Sequence, residues 1–365
     1  MLFQACGERT LKMVKSCTFN RREVVIWGVL GAATFNLPAI ARADARTAPP
    51  SGLPPVSVER FDDRLAQILP SSASMEILAS GFEWAEGPTW DQKRERLYFS
   101  DIPNNRINYW SKALGLGVWR EPAGSGGAPD FVMPGSNGLL YSSSSDELLV
   151  CDQDSRSILA YDPDGGPARV VVRGPEGDPF ISPNDLVMGR DGSLYFTDPP
   201  FGFVEGKARP ETPRKVSGVY RRLSNGRIEL IDGSLKFPNG IGISPDGGHL
   251  YVSISDPVWP RVVRFTAEGN GWRRDGDCWF DMRVFQHDGS AGMPDGMDVA
   301  SDGTLFIAAP GGIAILSEKG EPLGRLVTGR ATGNCCFGED GSTLFITADD
   351  LLLRIRTSAR GVAFS

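Results

Sequence analysis

Five short segments each set one carboxylate or carboxamide beside glycine or proline: Ala85-Glu86-Gly87-Pro88, Ser136-Asn137-Gly138-Leu139, Pro183-Asn184-Asp185-Leu186, Pro238-Asn239-Gly240-Ile241 and Pro294-Asp295-Gly296-Met297. If these segments converge, Glu86, Asn184, Asn239 and Asp295 offer two anionic and two neutral oxygens to a single ion. Hard oxygen donors without Cys or His select calcium, or magnesium or manganese, over zinc. An isolated Asn-Gly or Asp-Gly is an ordinary turn signal. Asn239 and Asp295 stand out because they share a Pro-Asx-Gly context, and Glu86 because it lies inside the apolar run from Phe82 to Trp90. A buried carboxylate lacking a counter-charge is costly, and a cation answers that cost. Asn137 reads equally as a turn residue and as a polar contact for a substrate.

Donors so far apart in sequence meet only if their segments are related by rotation about an axis, and the chain carries a repeat that supplies this. Six runs resemble one another: Leu97–Asp101, Leu148–Asp152, Leu194–Asp198, Leu250–Ile254, Leu305–Ala309 and Leu344–Ala348. They recur at intervals of about 40 to 55 residues, the length of four antiparallel strands with their turns. Asp-Gly or Gly-Gly precedes four of them, and further apolar runs follow, as in Ser157–Tyr161, Val262–Phe265 and Ile313–Leu316. The pattern predicts an all-β chain, a six-bladed β-propeller with a short N-terminal helix, whose central channel is a natural ligand site. A decorated β-sandwich would leave the six copies unexplained.

Ahead of the repeat, residues 1–43 read as a cleavable export signal of the twin-arginine type, with Arg21-Arg22, an apolar stretch from Val24 to Leu37, and Ala41-Arg42-Ala43. Gly28, Gly31 and Asn36 interrupt the stretch, which is shorter than the ~20 residues a membrane span needs. The expected location is therefore the periplasm after cleavage near Ala43, with no membrane contact after processing. Residues 44–58 form a Pro-rich linker and residues 59–365 the propeller, entered through a helix on which Phe61, Leu65, Ile68 and Leu69 share a face before Pro70.

Composition narrows the chemistry. The net charge of −7 falls to about −11 once the leader's six basic and two acidic residues are removed, which leaves no basic surface for nucleic acid. His249 and His287 are the only histidines, too few for a His-rich zinc site or a His-driven triad. His287 reads as a solvated loop residue and His249, after a Gly-Gly turn, as exposed, and neither is placed in the site. Cys151, Cys278, Cys335 and Cys336 show no CxxC spacing, and Cys335 and Cys336, at the start of an apolar strand-like run, read as small buried residues.

Taken in order, the segments resemble the SMP-30/gluconolactonase/luciferin-regenerating-enzyme-like family from about residue 60 to the C-terminus. The resemblance rests on Glu-Gly-Pro at 86–88, Ser-Asp-Ile-Pro-Asn-Asn-Arg-Ile at 100–107, Ser-Pro-Asn-Asp at 182–185 and Tyr-Phe-Thr-Asp-Pro-Pro-Phe-Gly at 195–202. Pro-Asn-Gly-Ile at 238–241, Pro-Asp-Gly-Met at 294–297 and Cys-Cys-Phe-Gly at 335–338 complete it. It implies a six-bladed propeller, one divalent cation that is usually calcium, and lactone hydrolysis. It also implies that Glu86, Asn239 and Asp295 are metal ligands, that Asn184 touches metal or substrate, and that Asp295 has the acid/base role. Two positions depart from the pattern. Gln153 stands where resembling chains often carry His, and Ser182 stands where some carry an arginine that touches sugar lactones.

The expected reaction is cation-assisted attack of water on a lactone carbonyl, with Asp295 accepting the proton. Asn137 and Asn184 would fix the substrate, and Trp84 and Phe201 would serve as pocket walls or as core. The partner is a small-molecule lactone, a sugar lactone such as gluconolactone. The alternatives are a calcium-dependent phosphotriesterase-like hydrolase, or a propeller that binds metal and ligand without turnover.

Overall fold

A computed structural model describes residues 56–127, 130–174, 178–207, 217–286 and 289–364. The expected signal and most of the linker lie outside these residues, as does His287. The described chain forms six antiparallel sheets. The innermost strands, in chain order, are Ala85–Asp91, Ser136–Ser142, Leu186–Met188, Pro238–Ile243, Met297–Val299 and Asn334–Gly338. We number the blades 1 to 6 accordingly. Each of the six repeated runs forms the second strand of its blade, and in blades 3, 5 and 6 that strand is buried throughout.

The ring closes by strand exchange between the two ends of the chain. Met75–Ser80 pairs with Leu351–Arg356 and completes blade 6, whose other three strands come from the C-terminus. Aromatic contacts tie neighbouring blades together: Trp90 stacks on Phe345 (5.5 Å) across blades 1 and 6, and Phe306 meets Phe337 edge-on (5.2 Å) across blades 5 and 6.

The N-terminal edge differs from the sequence expectation. Ser57–Arg60, partly assigned to the linker, is a strand that pairs with Pro322–Val327 as the fifth strand of blade 5. Glu59 there meets the buried Arg325 (Nε to Oε2, 2.9 Å). The helix is a single turn, Leu65–Ile68. An open sheet edge satisfies the backbone of this segment along its length, whereas so short a helix lacks intrinsic stability.

In every blade the innermost strand starts at the same end of the axis. The antiparallel pairing brings the connections between second and third strands to that end, together with the connections from blade to blade. Ligand-facing groups therefore collect on one face.

Candidate active site

The five donor segments begin their innermost strands at this face, and a chain of contacts joins them around the axis. The Cβ that Gly87 lacks would lie 2.5 Å from the carbonyl oxygen of Asn137. Gly138 N–H donates to the carbonyl of Asn184 (2.8 Å). Thr197 Oγ1 in blade 3 donates to the carbonyl of Asn239 (2.6 Å), and Ser253 Oγ in blade 4 to that of Asp295 (2.8 Å). Gly296 N–H then donates to the carbonyl of Gly333 (2.8 Å), whose own missing Cβ would fall 2.5 Å from Glu86 Oε1. Glu86, Asn137, Asn184, Asn239 and Asp295 thus share one ring with Gly333 at the sixth position.

Breaks in the pairing register aim these residues. The innermost strands of blades 1, 2 and 4 bulge between Glu86 and Thr89, Ser136 and Leu139, and Pro238 and Ile241. A bulge frees residues from strict alternation and redirects side chains. The carboxamide of Asn239 is also oriented: its Nδ2 donates to Ser255 Oγ (3.0 Å), which in turn donates to the Pro294 carbonyl (2.5 Å). Its Oδ1 is buried and has no hydrogen-bond partner among the described residues.

The electrostatics ask for positive charge. Burial pushes the Glu86 carboxyl up to about 8, and the charge of Asp185 adds to the rise against hydrogen bonds from Gly87, Asn334 and Trp84. Burial also pushes Asp295 well above the carboxylate range, with the charges of Glu86 and Asp185 raising it further. An orphaned carboxamide oxygen in the same ring as two carboxyls that resist ionisation matches a hard divalent cation, and Glu86, Asn184, Asn239 and Asp295 are the residues that would hold it. Among the described residues, no three Cys, His, Asp or Glu side chains are grouped so that they could hold a metal ion by themselves.

Several contributors were not read from the sequence. Asp185 and Asn334 occupy the axis just behind the ring. Asp185 accepts from Leu186 N (2.9 Å) and Ile241 N (3.2 Å), and burial pushes it up to about 7. Asn334 accepts from Cys335 N (2.8 Å) and hydrogen-bonds both Glu86 and Asp185. Thr197 and Ser253 were visible as the fourth residue of the repeated runs, a position where a hydroxyl in an apolar strand signals a cross-blade contact.

At the rim, Trp84 and Phe201 are partly exposed. Phe201 stacks on Phe237, with ring centroids 6.0 Å apart and planes at 15°. Gln153 and Ser182 are buried beneath this rim. His249 opens a strand and is half-buried beside Thr266 (3.2 Å) rather than exposed. Cys151, Cys335 and Cys336 are buried and burial pushes their thiols up, whereas Cys278 is partly exposed.

A six-bladed propeller with hard oxygen donors ringed around one mouth of its axis defines a class of cation-assisted hydrolases and binders. The family pattern described as SMP-30/Gluconolactonase/LRE-like region matches residues 84–350, and the chain belongs to this family. It is 38% identical over 310 residues to a gluconolactonase of Zymomonas mobilis, covering 83% of this chain and 87% of that one. A solved gluconolactonase of Xanthomonas campestris superposes with a TM-score of 0.70 at 26% identity, covering 84% of this chain and 98% of that one. A calcium-binding regucalcin of Agrobacterium tumefaciens shares the fold, with a TM-score of 0.60 at 17% identity over 79% of this chain and 95% of that one.

Proposed function

We propose that this chain opens sugar lactones to hydroxy acids with one divalent cation, calcium, held by Glu86, Asn184, Asn239 and Asp295. The observation that carries the reading is the donor ring, with an unpartnered Asn239 Oδ1 and the raised carboxyls of Glu86 and Asp295. The 38% identity to the Zymomonas gluconolactonase supports lactones as the substrate class.

When bound, the cation supplies Lewis-acid polarisation of the lactone carbonyl. The chain's own residues do the rest. Asn137 and Asn184 hold the ring by hydrogen bonds from the second and third blades. A carboxylate oxygen of Asp295 accepts a proton from water as its oxygen bonds to the carbonyl carbon, and returns that proton to the ring oxygen as the C–O bond breaks. Asn334 keeps Glu86 directed at the ring by donating to it from the axis. The product acid ionises, so turnover reads out as proton release.

The test is a pH-stat assay of residues 44–365 on δ- and γ-aldonolactones, aliphatic lactones and a phosphotriester, with calcium and with chelator. Calcium-dependent proton release from sugar lactones is expected. Turnover confined to the phosphotriester would replace the substrate class, and calcium-induced stabilisation without any turnover would leave a binding propeller. Residues 1–43 act in this reading as an export leader. N-terminal sequencing of the periplasmic protein should find a start at Asp44, and a start at Met1 would overturn that part. Among the described residues no helix is long and apolar enough to cross a membrane.

A further inference from the structure

We propose that Phe201 and Phe237 form an aromatic platform that seats the C–H face of a six-membered sugar lactone beside Asn184 and Asn239, with Ser182 as the positioning residue that holds Phe201. The inference rests on the lactonase reading and names the part of the substrate that the donor ring leaves unrecognised.

The chain path keeps both residues close to donor residues. Phe237 lies two residues before Asn239, and the Pro200–Gly202 turn that carries Phe201 is bound to Ser182, two residues before Asn184. Ser182 Oγ donates to the Pro199 carbonyl (2.6 Å) and accepts from Gly202 N (3.0 Å), while its own N–H is held by Asp198 Oδ1 (2.7 Å). Gly202 is closed in from beneath. A Cβ there would lie 2.5 Å from Ser182 Cβ and 2.7 Å from Gln153 Nε2. From the other side, Gly202 O accepts from Met133 N (2.5 Å), and Phe203 bridges Val132. The two residues that depart from the family resemblance, Gln153 and Ser182, therefore both close on Gly202, the residue after Phe201, and Ser182 bonds the turn that carries it.

Phe237 carries an independent mark. It has φ of +56°, and the other non-glycine residues at positive φ among the described ones are all polar or charged: Glu95, Asn105, Asp146, Arg156, Glu339 and Asp349. A bulky aromatic residue in the left-handed region is strained, and such strain persists where the surroundings impose it and clusters at ligand sites. Its carbonyl is pinned by Ser255 N (3.0 Å), next to the Ser255 Oγ that orients Asn239. Core aromatics such as Phe180 and Phe196 are fully buried, whereas both platform rings keep surface open. The negative π-face attracts positively polarised edges, and a pyranose-type lactone with equatorial hydroxyls turns its axial C–H bonds outward as such a surface. A phosphotriester or an acyclic ester has no comparable face.

The experiment compares D-glucono-1,5-lactone with γ-butyrolactone in wild type, Phe201→Ala, Phe201→Tyr, Phe237→Asn, Ser182→Ala and Ser182→Thr. The calcium-induced melting shift is recorded for each, and calorimetric binding of D-gluconate for wild type and Phe201→Ala. We expect Phe201→Ala and Phe237→Asn to raise KM for the sugar lactone about tenfold with little loss of kcat, and to lower its preference over γ-butyrolactone by a similar factor. The calcium shift should be unchanged. Phe201→Tyr should restore KM, Ser182→Thr should rescue the defect of Ser182→Ala, and Phe237→Asn should melt higher than wild type because Asn tolerates the left-handed conformation. Equal losses on both lactones, or none on either, would overturn the platform. If the wild type opens no lactone, the lactonase reading falls by itself, and loss of gluconate binding in Phe201→Ala then decides the platform separately.

Discussion

Replacing Glu86 with Gln should stabilise the cation-free protein while removing its response to calcium. In the folded state the carboxyl sits at about 8, against an ordinary 4.5. Between these values the folded chain retains a proton that the unfolded chain has lost, so stability falls as pH rises through this window and is fullest below it. Each pKa unit is worth about 1.4 kcal/mol, so the penalty reaches ~3 kcal/mol by about pH 7. Glu86→Gln keeps the shape and discards the penalty. For a chain of this size that amounts to ~5 °C in melting temperature at about pH 7, shrinking to nothing near about pH 4.5. Cation binding must expel the same proton, so below about pH 8 calcium affinity of the wild type should rise about tenfold per pH unit for each proton released. The assay is thermal melting across pH with calcium and with chelator, together with titration calorimetry. A cation-free variant that melts like wild type at every pH, or one that calcium stabilises as fully as wild type, would refute the reasoning.

Asp295→Asn should fold, melt higher than wild type without cation, and lose nearly all lactone turnover in a pH-stat assay, because a carboxamide cannot accept the proton of water. Ser253→Ala and Thr197→Ala each remove a hydroxyl from the carbonyl of a donor residue, so each should weaken calcium binding by about 1 kcal/mol, roughly fivefold by calorimetry. Gly296→Ala should cost several kcal/mol in urea unfolding, ~3 or more, since its Cβ would fall 1.8 Å from Asn334 Cγ; a variant as stable as wild type would show that Asn334 is free to move.

The propeller was legible because its repeat is written in the buried strands. Leu97–Asp101 and its five counterparts all became second strands, and a buried strand tolerates few residue types. The segments of Asn239 and Asp295 were legible for a related reason, since Pro-Asx-Gly before an apolar strand is unusual and recurs. The N-terminal edge was not. Ser57–Arg60 is a strand because blade 5 offers it an edge and Arg325 offers Glu59 a partner, and neither can be read from four residues alone. The sixth ring position escaped because Gly333 has no side chain to advertise it, and Asn334 escaped because its partners, Glu86 and Asp185, lie in other blades.

The residue after each donor explains how the ring and the axis fit together. It is Gly87, Gly138, Gly240 and Gly296 in blades 1, 2, 4 and 5, where neighbouring atoms leave no room for a Cβ: the one Gly240 lacks would lie 2.2 Å from the carbonyl of Asp295. In blades 3 and 6 it is Asp185 and Asn334, half a turn apart. Four bare positions let the innermost strands close in, and the two remaining side chains reach inward from opposite sides into the space this leaves. There Asn334 bonds both Asp185 and Glu86. The plug therefore couples two jobs. It fills the channel behind the ring, and it brings a third carboxylate, Asp185, close enough to raise Glu86 and Asp295 further. Carboxyls held protonated in this way would give up their protons to a cation, and the glycine pattern that permits the ring is the same pattern that lets six blades close around one axis.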